Sequence, residues 1–190
     1  HANHPDLIGK KRDAWEGGHR VPFIARWPQV APAGAVCEQL VILGDLMATC
    51  AALTNAELPD RQGEDSISFF PLLNGSEQPV REFAIHHSMR GRFAIRRGDW
   101  VFIDNETGDD NQEPDWFKEL RGYNAHDWPG ELYNLNEDLS ERVNRYAEQP
   151  AVVLHLSRLG TKVKPTRFHT DPAKMDGATT RQKQCLIVMG

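Results

Sequence analysis

Cysteine is scarce in this sequence, and its few occurrences form no recognisable pattern. The three cysteines, Cys37, Cys50 and Cys185, are an odd number and include neither a CxxC pair nor a zinc-type spacing. We therefore expect neither a disulfide framework nor a structural zinc site. The simplest interpretation is that the three thiols are buried or inert.

The sequence also lacks long apolar runs and an excess of basic residues. No apolar stretch approaches the ~20 residues of a transmembrane helix, so we expect no membrane-spanning segment. Lysine and arginine total 22 against 27 aspartates and glutamates, which gives a formal net charge of −5. Binding of nucleic acid through a basic surface is therefore not expected. The 39% apolar and 26% charged content is typical of a globular protein.

The start of the chain has neither an initiator methionine nor the charged and then apolar segments of a signal peptide. We interpret it as a cut end, so the missing signal says nothing about the compartment. The 190 residues have room for one domain, or for a domain with a small added lobe. Changes in pattern divide them into residues 1–82, 83–172 and 173–190.

Residues 1–82 predict part of an α/β layer. Residues 21–27 are mostly apolar, which is typical of a buried strand in a largely parallel sheet covered by helices, and Pro22 places that strand near the sheet edge or Pro22 at the strand's entry. Residues 44–55 have apolar residues at helical spacing, with Asp45 as the predicted N-cap. The rest of this region predicts a connection with one helical turn near residues 69–73.

Residues 83–172 predict a different architecture, a small α+β lobe. Three β-like runs lie at 83–88, 92–97 and 99–104, and a fourth lies at 131–135. The Gly98-Asp99 pair favours a two-residue hairpin turn between the second and third runs. We therefore expect an antiparallel sheet of about four strands.

One helix is expected to pack on that sheet. It begins at Pro150, which suits a first helical turn, and it ends near Leu159 with Gly160 as its stop. Its apolar stripe predicts a core-facing surface made of Val152, Leu156, Leu159 and Val163. Residues 173–190 show no clear periodicity and receive no assignment.

Six acidic residues crowd positions 104–115, a pattern that invites comparison with calcium-binding loops. Position 108, where a loop of the EF-hand type needs a ligand, is glycine, and no closing glutamate falls at the right distance. We therefore predict a solvated loop. A short helix should follow it, opened by Pro114 and continuing to Leu120.

The densest combination of charge and glycine lies between Gly9 and Pro22. Two lysines and an arginine occupy positions 10–12 and precede the adjacent pair Gly17 and Gly18. Adjacent glycines allow the backbone to approach a neighbouring chain or a ligand where side chains would clash. A lysine ammonium on such a loop can lie against a sulfate or phosphate oxygen. The residues alone predict either an anion-binding loop or an ordinary solvated one.

The same segment resembles the late conserved block of the type I sulfatases, a family built on the alkaline-phosphatase-like α/β core. That block consists of Lys, four residues, Glu-Gly-Gly, one residue and Arg-Val-Pro, and here Lys11 stands five positions before Glu16. The resemblance covers roughly residues 7–165. It continues through residues 24–28, 45–49, 86–88, 93–96 and 131–138.

The resemblance implies roles for several residues. Lys11 is similar to the family's second active-site lysine, which contacts a sulfate oxygen and helps neutralise the leaving oxygen as the S–O bond breaks. Lys10 is expected to be solvated. His86 and His87 fall near the implied rim of the substrate pocket, and we expect one of them to contact the substrate unless both are ordinary half-buried histidines. The implied scaffold of the lysine loop is Glu16, Gly17, Gly18 and Arg20.

Two parts of the family's machinery have no counterpart in this sequence. The family's nucleophile is a formylglycine made in a Cys/Ser-x-Pro/Ala-x-Arg motif, and no cysteine or serine here lies in one. The family's calcium polarises the ester, and its ligands are implied to lie upstream of His1. We therefore expect a C-terminal portion of a longer enzyme, with calcium as the cofactor of the full-length parent, that is inactive alone.

The expected fold is α/β, the end of an alkaline-phosphatase-like sheet core plus the C-terminal α+β lobe. The implied parent hydrolyses the sulfate ester of a small molecule or glycan, in the periplasm or outside the cell. One alternative is a phosphonate monoester hydrolase or phosphodiesterase of the same superfamily, which uses a similar lysine. A second is a non-catalytic module that binds glycans on the aromatic residues Trp100, Trp116, Tyr123 and Trp128. No oligomeric state is predicted.

Overall fold

The structure is a computed structural model that describes residues 7–59, 62–167 and 188–189. Its helices are α1 (Glu16–His19), α2 (Asp45–Thr54), α3 (Phe70–Leu73), α4 (Asp115–Leu120) and α5 (Pro150–Arg167). Its strands are β1 (Val41–Ile42), β2 (Phe83–His87), β3 (Phe93–Arg97), β4 (Trp100–Ile103), β5 (Glu131–Asn134) and β6 (Val188–Met189).

Four strands form an antiparallel sheet in the order β2-β3-β4-β5, so every strand pairs with its neighbour along the chain. The hairpin between β3 and β4 is closed by two residues, because Arg97 pairs directly with Trp100. Gly98 supplies the positive φ, +57°, that such a turn requires. The predicted antiparallel sheet of four strands is confirmed.

The two faces of this sheet carry separate apolar clusters, because successive residues of a strand point to opposite sides. On β4, Val101 and Ile103 contribute to one cluster and Phe102 contributes to the other. The Val101 face packs against residues from the start of the chain. The Phe102 face packs against α5. Each face of the sheet is therefore covered by a segment of this chain.

Helix α5 confirms the predicted packing helix but extends beyond its predicted end. Leu156 is fully buried against the sheet, with Val152 and Leu159 packed beside it. Gly160 is a helical residue, not a stop, and it is not among the glycines with positive φ. A glycine ends a helix only where it adopts the left-handed conformation, and inside a helix it costs only about 1 kcal/mol. The structure does not describe the side chain of Val163, the fourth residue of the predicted stripe.

The predicted buried strand at residues 21–27 is wrong. The segment has no regular structure, and Ile24 is 90% exposed. A strand that is apolar on both faces needs neighbouring strands to bond its backbone and layers to cover it. Within residues 7–59, 62–167 and 188–189 no strand pairs with it, and the ring contacts of Phe23 with Phe69 and of Trp27 with Phe70 leave Ile24 uncovered. The paired strand of this region is β1 instead, which joins β6 with Val41 opposite Met189.

Helix α2 forms as predicted, but Asp45 is its first residue and not its N-cap, which is Gly44. The Asp45 carboxylate reaches other segments: Oδ2 accepts the backbone N–H of Ile42 at 3.0 Å and Oδ1 accepts that of Ile67 at 2.8 Å. Arg81 forms a buried ion pair with the same carboxylate. Asp45 thus connects α2 to the strand before it and to the connection after it.

The expectations about a membrane-spanning segment and about the cysteines can be compared with the described residues only. None of the helices in that part of the chain combines the length and the apolar character that crossing a membrane requires. Cys37 and Cys50 are free thiols that are exposed, so neither is buried as the sequence suggested, and Cys185 lies outside the described residues. The predicted division at residue 82 stays a prediction.

Candidate functional site

The segment that contains α1, which we call the lysine loop (residues 7–20), lies on one face of the four-stranded sheet. Trp15 is its anchor: the ring is fully buried in a cluster with Val101, Ile103 and Tyr133. The Trp15 indole Nε1–H donates a 2.6 Å hydrogen bond to Glu131 Oε2, at the start of β5. A buried polar group is stable only when its partner is in place. The sheet and β5 therefore fix the position of the loop.

The glycine pair allows α1 to press against the backbone of its own loop. A Cβ atom on Gly17 would lie 2.4 Å from the carbonyl oxygen of Ile8, and one on Gly18 would lie 2.2 Å from that of Asp13. Neither distance is possible for a real side chain. The backbone N–H of Gly17 uses this closeness to donate a 2.9 Å hydrogen bond to Ile8. The predicted close backbone approach at the glycine pair is thereby confirmed.

Asp13 and Asn111 hold the loop from its other side. Asp13 Oδ1 accepts the backbone N–H groups of Asp110 and Asn111 at 2.8 and 3.0 Å, and Oδ2 accepts that of Lys10 at 2.9 Å. The Asn111 amide Nδ2 donates to Asp13 Oδ1 and to the carbonyl oxygen of Lys11, each at 2.9 Å. Burial raises the pKa of Asp13, although these hydrogen bonds oppose the shift. Asn111 is thus a direct brace on the backbone of Lys11.

The prediction that the acidic segment 104–115 is solvated holds for Asp104, Glu106 and Asp115, which are exposed, and is wrong for its other three acids. Asp109, Asp110 and Glu113 are buried. They serve as acceptors and counterions: Asp110 Oδ1 accepts from the Ser88 hydroxyl at 3.0 Å, and both Asp109 carboxylate oxygens accept the backbone N–H of Glu113. Acidic side chains are excluded from water only when such partners are available, and sequence spacing does not reveal those partners. The segment supports the lysine loop.

Three consecutive cations of the loop have different surroundings. Lys10 Nζ lies 2.7 Å from Glu113 Oε1, so Lys10 is ion-paired, although 40% of its side chain stays exposed to solvent as predicted. Arg12, whose φ is +95°, places Nη2 3.5 Å from Asp110 Oδ2. Lys11 between them is exposed, and among the described residues its ammonium makes no ion pair. Of the three, Lys11 alone presents an uncompensated charge at the surface of the described chain.

Within the lysine loop, Glu16 is the centre of a buried group of charged side chains. Its carboxylate lies 3.3 Å from His19 Nε2 and accepts a 3.1 Å hydrogen bond from Arg20 Nη1. Burial alone would raise the pKa of Glu16, but the contact with His19 and the surrounding cations lower it to about 2. The carboxylate therefore stays charged and ties α1 to the residue that follows it.

Glu141 joins the same group from the turn after β5. Its Oε2 accepts the backbone N–H of Glu16 at 2.7 Å, and its Oε1 has no hydrogen-bond partner among the described residues. Burial, and then the negative charge of Glu16, raise the pKa of Glu141 well above its ordinary value. The neutral acid is favoured because two negative charges cannot share so dry a site.

His86 does not fit the predicted role in substrate contact. Only 2% of the residue is exposed, and its Nε2 lies 2.9 Å from the carbonyl oxygen of Ala14. Its ring packs on that of His19, with centroids 3.8 Å apart. Burial and repulsion from His19 lower the pKa of His86 to about 3. A side chain enclosed in this way cannot touch a substrate, so His86 is a buried support beneath the lysine loop.

His87 lies on the opposite face of the sheet. His86 pairs with Ala94 on the face that carries the lysine loop, whereas His87 pairs with Phe93, which packs into the cluster under α5. The His87 and Phe93 rings lie 5.5 Å apart. The structure therefore does not bring His87 and Lys11 to the same side, and contact of His87 with a substrate stays a prediction.

The described residues do not fit a calcium site. No group of three or more histidine, cysteine or acidic side chains within them is arranged to hold a metal ion. The buried carboxylates near the lysine loop already accept hydrogen bonds or face cations. A metal bound near Lys11 would need ligands from outside the described chain.

The sequence did not identify the residues that hold the loop, namely Asp13, Asn111, Glu131 and Glu141. A weak signal exists for Glu131, an acid at the start of the Leu-Tyr-Asn-Leu run. An acid in that position is either solvated or a buried acceptor, and only the fold distinguishes the two.

The curated proteins that are similar to this chain are sulfatases. An N-acetylgalactosamine-6-O-sulfatase of Bacteroides thetaiotaomicron is 35% identical over 159 residues, which are 82% of this chain and 29% of that protein. Human arylsulfatase D is 41% identical over 89 residues, which are 46% of this chain and 15% of that protein. The chain thus spans less than a third of the length of these relatives. No family model matches it.

Solved structures agree in fold. A structure from work on glycosaminoglycan metabolism by Bacteroides thetaiotaomicron has a TM-score of 0.67 at 30% identity, over 84% of this chain and 32% of that one. Ps i-CgsB in complex with k-i-k-neocarrahexaose has a TM-score of 0.62 at 26% identity, over 88% of this chain and 35% of that one. The PsFucS1 sulfatase of Pseudoalteromonas sp. shares the fold, with a TM-score of 0.64 at 22% identity.

Proposed function

Because the chain belongs to the sulfatase family, we propose that it forms the C-terminal part of an enzyme that hydrolyses sulfate esters. The reaction converts R–O–SO₃⁻ and water to R–OH, SO₄²⁻ and a proton. The resemblance of the lysine loop to the family's late conserved block supports this function, as do the relatives named above. We propose that the chain alone does not turn over, since it contains no formylglycine motif.

Lys11 is the catalytic residue of this proposal. In a sulfate ester, negative charge moves onto the leaving oxygen as the S–O bond breaks, and a fixed cation nearby lowers the energy of that transition state. The single observation that carries the role is the contrast within the loop: Lys10 and Arg12 face acids, while Lys11 is exposed without an ion pair among the described residues. A cation neutralised by a carboxylate would offer little to an anionic substrate.

The rest of the loop positions Lys11. Asn111 holds the Lys11 carbonyl, Asp13 holds the turn around it, and Trp15 fixes the loop on the sheet. Preorganisation of this kind matters because an ammonium that must be ordered during the reaction loses part of its stabilising effect. His86 supports the loop from below through Ala14.

The nucleophile and the metal of the proposed enzyme come from outside this chain. When bound, a calcium ion would polarise the ester as a Lewis acid. We assign no described residue to it. The proposed substrate is a sulfated small molecule or glycan, and its processing outside the cytoplasm accords with relatives of the kind named above.

The test is turnover of an aryl sulfate by the full-length protein with Lys11→Ala. We expect kcat to fall by roughly 10²–10³-fold, as for loss of one preorganised charge-stabilising group. Lys11→Arg, which keeps a cation, should lose less, and Lys10→Ala is the matched neighbour whose loss should be smaller than that of Lys11→Ala. An unchanged kcat in Lys11→Ala would remove Lys11 from the mechanism. Faster turnover of a phosphonate monoester than of the aryl sulfate by the unmodified protein would reject sulfatase activity.

A further inference from the structure

A cavity of about 250 Å³ lies between the segment after α4 and the turn after β5. Its wall combines aromatic, acidic and basic side chains: Tyr123, His126, Trp128, Glu141 and Arg142. Pockets for drug-sized ligands measure roughly 300–1,000 Å³. The cavity is therefore suited to a single ring with its substituents.

Two aromatic side chains give the cavity flat apolar surfaces. Trp128 stacks on Tyr146, with ring centroids 6.2 Å apart and planes at 25°, yet 47% of the residue stays exposed. Tyr123 is half-buried against Trp15, with centroids 5.2 Å apart. Aromatic rings that are held from behind and open in front bind flat or ring-shaped ligands at low entropic cost.

The positive group of the cavity is Arg142. Its backbone N–H donates a 2.6 Å hydrogen bond to Asp138 Oδ2, and its side chain lies across Gly122, where a Cβ atom would come within 2.9 Å of Arg142 Cδ. Among the described residues its guanidinium makes no ion pair. An arginine with a fixed stem and unpaired N–H groups is suited to a planar or tetrahedral oxyanion.

Glu141 supplies a polar group in the inner wall. The residue is almost completely buried, and its Oε1 has no hydrogen-bond partner among the described residues. A buried polar atom without a partner is uncommon and is satisfied by a ligand or a water molecule. The neutral acid, which the raised pKa favours, can bond to a hydroxyl without repelling an anion held by Arg142.

We propose that this cavity binds one acidic sugar unit, with Arg142 on its sulfate or carboxylate group, Trp128 and Tyr123 against its ring, and Glu141 on a hydroxyl. A neutral sugar would leave Arg142 unused, and a bare anion would leave the aromatic surfaces unused. The site is separate from Lys11 and does not depend on the proposed hydrolysis. It borders the lysine loop through Glu141, which also accepts the Glu16 N–H, and through Tyr123, whose ring packs on Trp15.

The experiment uses the full-length protein labelled with 5-fluorotryptophan, with the Trp128 resonance assigned by Trp128→Phe. Because the ¹⁹F shift reports locally, binding elsewhere does not move this resonance. The probes are N-acetylgalactosamine 6-sulfate, glucuronate, N-acetylgalactosamine and inorganic sulfate. Trp116, which is 66% exposed and does not line the cavity, is the internal control.

We expect at least one acidic sugar to shift the Trp128 resonance saturably, and the one that binds identifies the anion. Arg142→Gln should weaken this binding about tenfold, the equivalent of about 1.4 kcal/mol, while Arg158→Gln on α5 should leave it unchanged. N-acetylgalactosamine and inorganic sulfate should each bind at least about tenfold more weakly. Equal responses to the neutral sugar or to sulfate, no response to either acidic sugar, or unaltered affinity in Arg142→Gln would each overturn the proposal.

Discussion

The segment 21–40 and the four-stranded sheet come from one chain, but apolar residues are buried in the sheet and exposed in the segment. In the sheet, Ile95 and Phe102 are buried under α5, and Val101 is buried under the lysine loop. In the segment 21–40, Ile24 and Val36 are almost fully exposed. The sheet is built from strands adjacent along the chain, so its partners are always present. The segment pairs with no strand among the described residues, and its ring contacts there join Phe23 to Phe69 and Trp27 to Phe70.

The lysine loop belongs with the sheet by its contacts, although it lies at the other end of the sequence. Trp15 contacts Glu131, Asp13 contacts Asp110, and Glu16 contacts Glu141. These contacts would hold a catalytic lysine on the loop in a fixed position relative to the sheet.

The largest effect should come from adding one methyl group to the tightly packed loop. Gly18→Ala would place Cβ 2.2 Å from the Asp13 carbonyl oxygen, so we expect a loss of about 3 kcal/mol or more in unfolding free energy, measured by denaturant titration. Gly34→Ala is the matched control in the exposed segment: its φ is +74° but nothing lies within 4 Å, so it should cost only about 1 kcal/mol. Equal losses would contradict the contrast between the two regions.

The same contrast predicts the cost of removing apolar side chains. Ile95→Ala should lower the unfolding free energy by about 3 kcal/mol, because the side chain is buried in the cluster under α5. In the 190-residue chain, Ile24→Ala should cost less than about 0.5 kcal/mol, because that side chain is exposed. A cost for Ile24→Ala close to that for Ile95→Ala would show that the segment is packed after all.

His86 predicts a specific dependence of stability on pH. Its pKa of about 3 lies below the ordinary 6.5, so between these values the unfolded chain binds a proton that the folded chain does not. Stability should therefore rise with pH across this window, by at most about 1.4 kcal/mol per unit. Between pH 7 and pH 5, the wild type should lose about 2 kcal/mol relative to His86→Gln, measured by denaturant titration at each pH. Parallel curves for the two proteins would show that burial of a neutral His86 does not control this window.

The smallest effect concerns the brace on Lys11. Asn111→Ala removes the 2.9 Å hydrogen bond to the Lys11 carbonyl and should cost about 1 kcal/mol of stability. In the full-length protein we expect kcat for an aryl sulfate to fall about tenfold with KM little changed, because the lysine is misplaced in the transition state. Asn74→Ala, at the exposed end of α3, is the control. A rise in KM with kcat constant would indicate that Asn111 acts on substrate binding and not through Lys11.

Much of the sheet could be predicted because its determinants are local. The Gly98 turn, the alternating runs and the apolar stripe of α5 each act within a few residues, and they are confirmed, the stripe for Val152, Leu156 and Leu159. The strand at 21–27 could not be predicted, because an apolar run becomes a strand only when a neighbour pairs with it. Gly160 was misinterpreted because a glycine can stay helical when packing favours it.

For the candidate site, the sequence predicted the glycine contact but not the residues that hold the loop. The contact at Gly17 and Gly18 depends on the absence of a side chain at those two positions, and that absence can be read from the sequence. The roles of Asp13, Glu131 and Glu141 depend on contacts across as many as 125 positions, which spacing does not encode. His86 and His87 are adjacent in sequence yet lie on opposite faces, which follows from strand alternation once β2 is known.

The central claim is that the Lys11 ammonium neutralises the leaving oxygen of a sulfate ester. The most direct measurement is the dependence of kcat on the pKa of the leaving phenol, over a series of aryl sulfates, in the full-length protein and in Lys11→Ala. If Lys11 supplies this charge, the variant loses most activity with the most basic phenols, and its kcat depends more steeply on the phenol pKa. The same fractional loss for every phenol would contradict the claim.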